Sequence, residues 1–156
     1  MRERAIIDAR LVNQGIAAPL AGPPDQAVAR LAAMQAQDAA GVRWAIGLRS
    51  QNATLATVEQ ALASGTIVRT WLLRGTLHVA AAADVRWMLA LLGPRILAGG
   101  TGRRRQLDLD DATLERSLDV IAGALHGGAV LTRAELLQAL EQSGIATTGQ
   151  RGYHLL

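Results

Sequence analysis

The stretch from Thr66 to Val79, TIVRTWLLRGTLHV, constrains this chain most, because it is the one clear strand signal in an otherwise helical sequence. Ile67 and Val68, then Leu72 and Leu73, form an apolar, β-prone arm. Arg74-Gly75 supplies a two-residue turn, and Leu77 and Val79 alternate with Thr76 and His78 on the return. The pattern predicts a β-hairpin over residues 66–80. An isolated hairpin is marginal in water, so this one must lie against helices. The expected class is therefore mainly α with a small antiparallel hairpin.

The rest of the chain supplies those helices. Ile6, Ile7, Leu11 and Val12 fall at helical spacing over residues 2–14, with Gly15 as a stop. Pro23-Pro24-Asp25 opens a second helix that carries Val28, Leu31, Ala32 and Met34 and runs into Gln35-Ala36-Gln37-Asp38. Val42 to Leu48 reads as a short apolar helix, and Thr57-x-x-Gln60 as the capping box of a helix closed by Gly65. Ala82 to Leu92 is a further helix ending near Gly93-Pro94. Trp71 and Trp87 are expected in the core.

Helices followed by one Arg-bearing hairpin point to a winged-helix unit over residues 1–98, with the hairpin as its wing. Gly99 to Gly102 followed by Arg103-Arg104-Arg105 reads as a Gly/Arg-rich linker over 99–105. Residues 106–156 then begin a second helix-turn-helix. Asp108 or Asp110 caps a helix through Leu125, Thr132-x-x-Glu135 is a capping box for a helix ending at Gly144, and a last helix starts near Thr147 or Thr148. The resulting tandem winged-helix arrangement leaves its second unit incomplete. We therefore expect these residues to be the front portion of a longer protein.

Composition closes several chemistries. All sixteen basic residues are Arg and none is Lys, so these residues offer no Schiff-base, P-loop or pyridoxal-anchoring lysine. With no Cys there is no thiol nucleophile and no Cys-ligated zinc. His78, His126 and His154 lack ligand spacing, so neither a metal nor a cofactor is expected. The net charge of +3 permits a nucleic-acid partner without demanding one. No apolar run approaches the ~20 residues of a membrane span, and no signal-peptide pattern opens the chain. A cytoplasmic location is expected, nucleoid-associated in a bacterium.

Leu31 to Asp38 (LAAMQAQD), Val68 to Val79 (VRTWLLRGTLHV) with Asp84 to Leu91 (DVRWMLAL), and the segment from Leu131 to Leu156 together resemble the AlkZ-like winged-helix DNA glycosylase family. The resemblance covers nearly the whole chain in the family's order. It implies tandem winged-helix domains, a further C-terminal part, and a double-stranded DNA partner. The implied activity is removal of N7-alkylated purines and, in some members, unhooking of interstrand crosslinks. The family's motif is Gln, a hydrophobic residue, then Gln, or Asp in another branch. Gln35-Ala36-Gln37 matches the Gln branch, with Ala36 a small occupant of the middle position.

The motif carries a structural requirement. Residues two apart project together from extended backbone but lie about 200° apart on a helix. If Gln35 and Gln37 act together, the second helix must end or distort there. Two amides can hold a water in line with C1′ of a nucleotide, and Asp38 can act as a base or stabilise positive charge on the sugar. Pattern alone favours solvated polar residues at a helix end, and the resemblance is what makes them catalytic candidates. Arg69, Arg74 and His78 on the hairpin, Arg103, Arg104 and Arg105 in the linker, and Gln150 and Arg151 with His154 in the last helix are the candidate DNA contacts. A non-catalytic DNA-binding regulator and a protein-docking module are the competing classes.

Overall fold

The computed structural model describes residues 2–156, and packing divides the chain into two compact units, up to Ile96 and from Leu97 onward. The first unit begins with α1 (Arg2–Asn13) and α2 (Pro24–Arg30), followed by β1 (Ala33–Gln35), α3 (Ala39–Gly47) and α4 (Leu55–Ala63). The hairpin strands β2 (Ile67–Trp71) and β3 (Leu77–Ala81) come next, and α5 (Ala82–Gly99) follows without a break. The chain is mainly helical with one small antiparallel sheet.

That sheet has three strands in the order β1-β3-β2. Its register sorts the side chains onto two faces. Met34 lies opposite Val79, and Val79 opposite Arg69; the neighbouring row is Ala33, Ala80 and Val68. The first face closes a core with Val28 of α2, Val42 and Ile46 of α3, and Val58 and Ala61 of α4. On the other face Leu72 and Ala80 pack with Met88 of α5, flanked by Val85 and Leu92. Helices cover both sides of the sheet, which supplies the support a lone hairpin lacks.

Several expectations are corrected. The second helix does not run through residues 35–38: it ends at Arg30, Ala32 reverses the chain at φ 61°, and β1 begins at Ala33. The hairpin is present, but its turn is longer than Arg74-Gly75. Trp71 pairs with Leu77, and Leu72 N–H donates to the Thr76 carbonyl at 3.1 Å. Burial of Leu72 beside Met88 draws the strand end inward and leaves Leu73, Arg74 and Gly75 to make the reversal. The fourth helix is capped by Thr54 rather than Thr57: the Thr54 N–H donates to Thr57 Oγ1 at 2.9 Å, and the Thr57 N–H donates back to Thr54 Oγ1.

Helix α5 continues through Pro94 to Gly99. Gly93 carries no Cβ, which removes part of the clash a proline ring imposes on the residue before it. The segment read as a linker over 99–105 is helical as well, with α6 spanning Thr101–Gln106 and the three arginines in its last turn, where the helix dipole favours cations. The tryptophans do not fill the core. Trp71 is exposed, at 37 %, and Trp87 is exposed with its indole N–H donating to Asp84 Oδ1 at 2.8 Å. Methyl-sized Ala33, Ala36 and Ala80 line the sheet, leaving little depth for an indole. The apolar row of α1, Ile6, Ile7, Leu11 and Val12, is likewise exposed.

The second unit contains α6, α7 (Asp111–Ala124), α8 (Arg133–Gln142) and α9 (Arg151–Leu155). Asp110 caps α7, and Thr132 with Glu135 forms the expected capping box on α8. Leu109, Leu140, Ile145 and Leu155 form its core, with Leu114, Ile121 and Leu137 packed around them. The last helix begins at Arg151, a few residues after Thr148.

Candidate functional site

Because α2 stops early, Gln35-Ala36-Gln37 lies on extended backbone. Met34 and Ala36 are buried while Gln35 and Gln37 are exposed, the alternation of a strand with one face on the core. Ala36 N–H donates to the Leu77 carbonyl at 2.8 Å and prolongs the pairing with β3 past Gln35. The two glutamine side chains meet, Gln35 Nε2 donating to Gln37 Oε1 at 2.5 Å. The small Ala36 at the middle position is fully buried among Val28, Met34 and Val79.

Asp38 follows as the N-cap of α3, its Oδ1 accepting from the Ala40 N–H at 2.9 Å. A side chain at Gly41 would come within 2.7 Å of Asp38 Oδ2, so the absence of a Cβ there leaves room for the carboxylate. Arg69 comes from the far strand of the sheet: its Nε donates to the Ala36 carbonyl at 2.9 Å and its Nη2 to the Gln37 carbonyl at 3.5 Å. Beside Gln35 opens a cavity of about 360 Å³ lined by Gln14, Leu31, Met34 and Arg49, among others. In it Arg49 donates to the Ala45 carbonyl at 2.8 Å and to Gln14 Oε1 at 3.5 Å. A larger groove of about 680 Å³ between α3 and α4, lined by Trp44, Leu55 and Val58, contains none of the candidate residues.

The remaining candidates divide by what already holds them. His78 is buried at 4 % exposure, with Nδ1 at 2.8 Å from the Thr76 carbonyl, so it is not a surface group for phosphate. Arg69 is committed to the motif's backbone. Arg74 is exposed at the hairpin tip, with no hydrogen bond or ion pair among the described residues, and its backbone is left-handed at φ 57°. In the second unit Arg103 donates to Gln106 Oε1 at 2.7 Å and to Gln150, and Arg104 to Thr101 Oγ1 at 3.3 Å. Arg105 is exposed. Arg151 is a brace rather than a presented group: it donates to the carbonyls of Ala146 at 3.0 Å, Leu107, and Asp108 at 3.0 Å. Asp108 has φ 51°, and Arg151 fastens that left-handed turn.

The site thus assembles Gln35, Gln37 and Asp38 and adds Arg69, which was read as a phosphate contact, and Arg49, which no local pattern singles out. Of the candidate DNA contacts, Arg74 and Arg105 are exposed without a hydrogen bond or ion pair among the described residues, and they belong to separate units. Among the described residues no helix is long and apolar enough to cross a membrane, and no group of three His, Asp or Glu is placed to hold a metal ion.

No curated protein and no solved structure gives a significant match to the chain. The sequence profile of the family described as DNA glycosylase AlkZ-like matches residues 28–156, which takes in the Gln pair, the whole sheet and the second unit. The chain belongs to the AlkZ-like DNA glycosylase family.

Proposed function

We propose that this chain is a monofunctional DNA glycosylase that removes N7-alkylated purines from double-stranded DNA and, where such a base is part of a crosslink, unhooks it. The observation that carries the reading is the amide pair on extended backbone. With Gln35 Nε2 donating to Gln37 Oε1, the pair still offers Gln35 Oε1 as an acceptor and Gln37 Nε2 as a donor. One water can donate to the first and accept from the second, and so be held with its oxygen free to attack.

N7 alkylation makes the base a cation and hence a good leaving group. As the water oxygen bonds to C1′, the C1′–N9 bond breaks, its electron pair neutralises the purine ring, and the water's proton passes to solvent. Orientation of the water, rather than a strong base, is the demand on the protein. Asp38, fixed as the cap of α3, provides negative charge near the cationic sugar that develops. The lack of lysine agrees with direct hydrolysis instead of a Schiff base.

A tandem winged-helix arrangement is proposed, with a first domain over 1–98 whose wing is the β2–β3 hairpin and the incomplete start of a second over 106–156. Of the candidate arginines, Arg74 at the hairpin tip and Arg105 on α6 are exposed with no hydrogen bond or ion pair among the described residues, and these two are proposed to meet phosphate. The test is abasic-site formation on a duplex carrying N7-methylguanine, with Gln35→Ala and Gln37→Ala in parallel and binding followed in the same samples. Release by the native chain that falls by roughly 100-fold in either variant, with binding kept, is the expected result. Binding without release from the native chain would instead favour a non-catalytic DNA-binding role.

A further inference from the structure

We propose that Arg69 is a positioning residue that holds Gln37 at the angle needed to pair with Gln35, an inference that rests on the glycosylase reading above. The need for such a residue follows from where regular structure ends. β1 stops at Gln35, its pairing with β3 reaches only to the Ala36 N–H, and α3 starts at Ala39. The backbone that carries Gln37 therefore lies between two elements and belongs to neither.

Two attachments hold it. On the downstream side Asp38 caps α3 through the Ala40 N–H. On the upstream side Arg69 grips the carbonyls of Ala36 and Gln37, the two that bracket the Gln37 residue. The register explains how it reaches them. Arg69 lies opposite Val79, and Val79 opposite Met34, so its side chain runs along the sheet face that carries Met34. The glutamine amides stand on the other side of the strand, because Gln35 shares its row with His78. Arg69 thus orients the pair from behind while leaving its water-facing side open. A planar guanidinium can address two carbonyls at once through Nε and Nη2, which a lysine ammonium on a flexible stem cannot reproduce.

The experiment compares the native chain with Arg69→Lys and Arg69→Met, following the ¹⁵N side-chain amide signals of Gln35 and Gln37, identified by their disappearance in Gln35→Ala and Gln37→Ala. Thermal unfolding and single-turnover release of N7-methylguanine are recorded on the same proteins. Both variants are expected to stay folded and to bind duplex with unchanged Kd. The two amide signals should move into the envelope of free glutamines, and release should slow by roughly 10- to 100-fold without a change in KM. Arg69→Lys retains the charge and the aliphatic stem, and is read if Arg69→Met does not fold. Amide signals that stay in place in a folded Arg69 variant overturn the proposal. Release that is indifferent to Gln37→Ala would overturn the glycosylase reading instead, with the amide signals still deciding whether Arg69 positions the pair.

Discussion

Gln35 and His78 are direct partners across the β1–β3 ladder, yet Gln35 is exposed and His78 is buried with its Nδ1 on the Thr76 carbonyl. β1 is an edge strand, so its Gln35 end opens to solvent, while His78 sits on the central strand β3 between β1 and β2. The histidine is therefore part of the floor beneath the candidate site. His78→Ala should destabilise the first unit by about 1–3 kcal/mol through a lost buried hydrogen bond and the space left behind. Urea unfolding reads that cost. Duplex affinity, measured where the variant is folded, should keep the native salt slope; a shallower slope would return His78 to the phosphate contacts.

Arg74 poses the opposite case, an exposed residue in strained backbone. Left-handed geometry at a residue with a Cβ costs about 1–2 kcal/mol, and Arg74 adopts φ 57° with its exposed side chain making no hydrogen bond or ion pair among the described residues. Arg74→Gly should raise stability by about 1 kcal/mol while reducing the slope of log Kd against log salt by about one unit. The two effects have opposite signs, so they separate a phosphate contact from a structural role. A stabilised variant with an unchanged salt slope would remove Arg74 from the DNA surface.

These two residues mark how far local pattern reaches. The hairpin was legible because alternation and a turn dipeptide are written within a dozen or so neighbouring residues, and Thr132-x-x-Glu135 because a capping box is a contact at fixed spacing. β1 was not. Val28, Leu31 and Met34 keep helical spacing through the break, and Ala32 turns the chain without the glycine that would announce a left-handed residue. What makes Ala33–Gln35 a strand is pairing with Val79 and its neighbours, far along the chain. The same distance hid Arg69, whose partners lie 33 and 32 residues away, and Arg151, whose carbonyls lie 43 and 44 residues away. The glutamines themselves were legible through family resemblance, whereas their shared orientation depended on a strand that the sequence disguises.

Gly152 tests the packing of the second unit. It is buried in α9, and a Cβ there would stand 2.7 Å from Leu137 Cδ2 and 2.8 Å from the Thr147 carbonyl oxygen. Leucine can rotate away, but the carbonyl belongs to the turn that leads into α9. Gly152→Ala should therefore destabilise this unit by about 1–3 kcal/mol, in contrast to the gain expected when alanine replaces glycine in an open helix. Hydrogen exchange at α8 and α9 amides measures it; unchanged protection would mean that α9 can shift outward freely.

Acid sensitivity should be concentrated in the same unit. Asp110 is held below its ordinary value of 3.8 mainly by hydrogen bonds from the Thr113 side chain and backbone, and Glu135 below 4.5 by those from the Thr132 side chain and backbone. Each carboxylate is bound more tightly as an anion in the folded chain than in the unfolded one. The folded state therefore holds fewer protons, and the stability they contribute is complete above the ordinary values and is lost as pH falls through the depressed ones. Both caps are at helix N-termini, where negative charge is also favoured by the dipole. Between pH 4.5 and the depressed values, protection of α7 and α8 amides should fall with pH. Asp110→Asn and Glu135→Gln should lower protection at neutral pH and flatten that dependence. If the Glu135→Gln chain kept the native acid slope in α8, the capping carboxylate would not be its source.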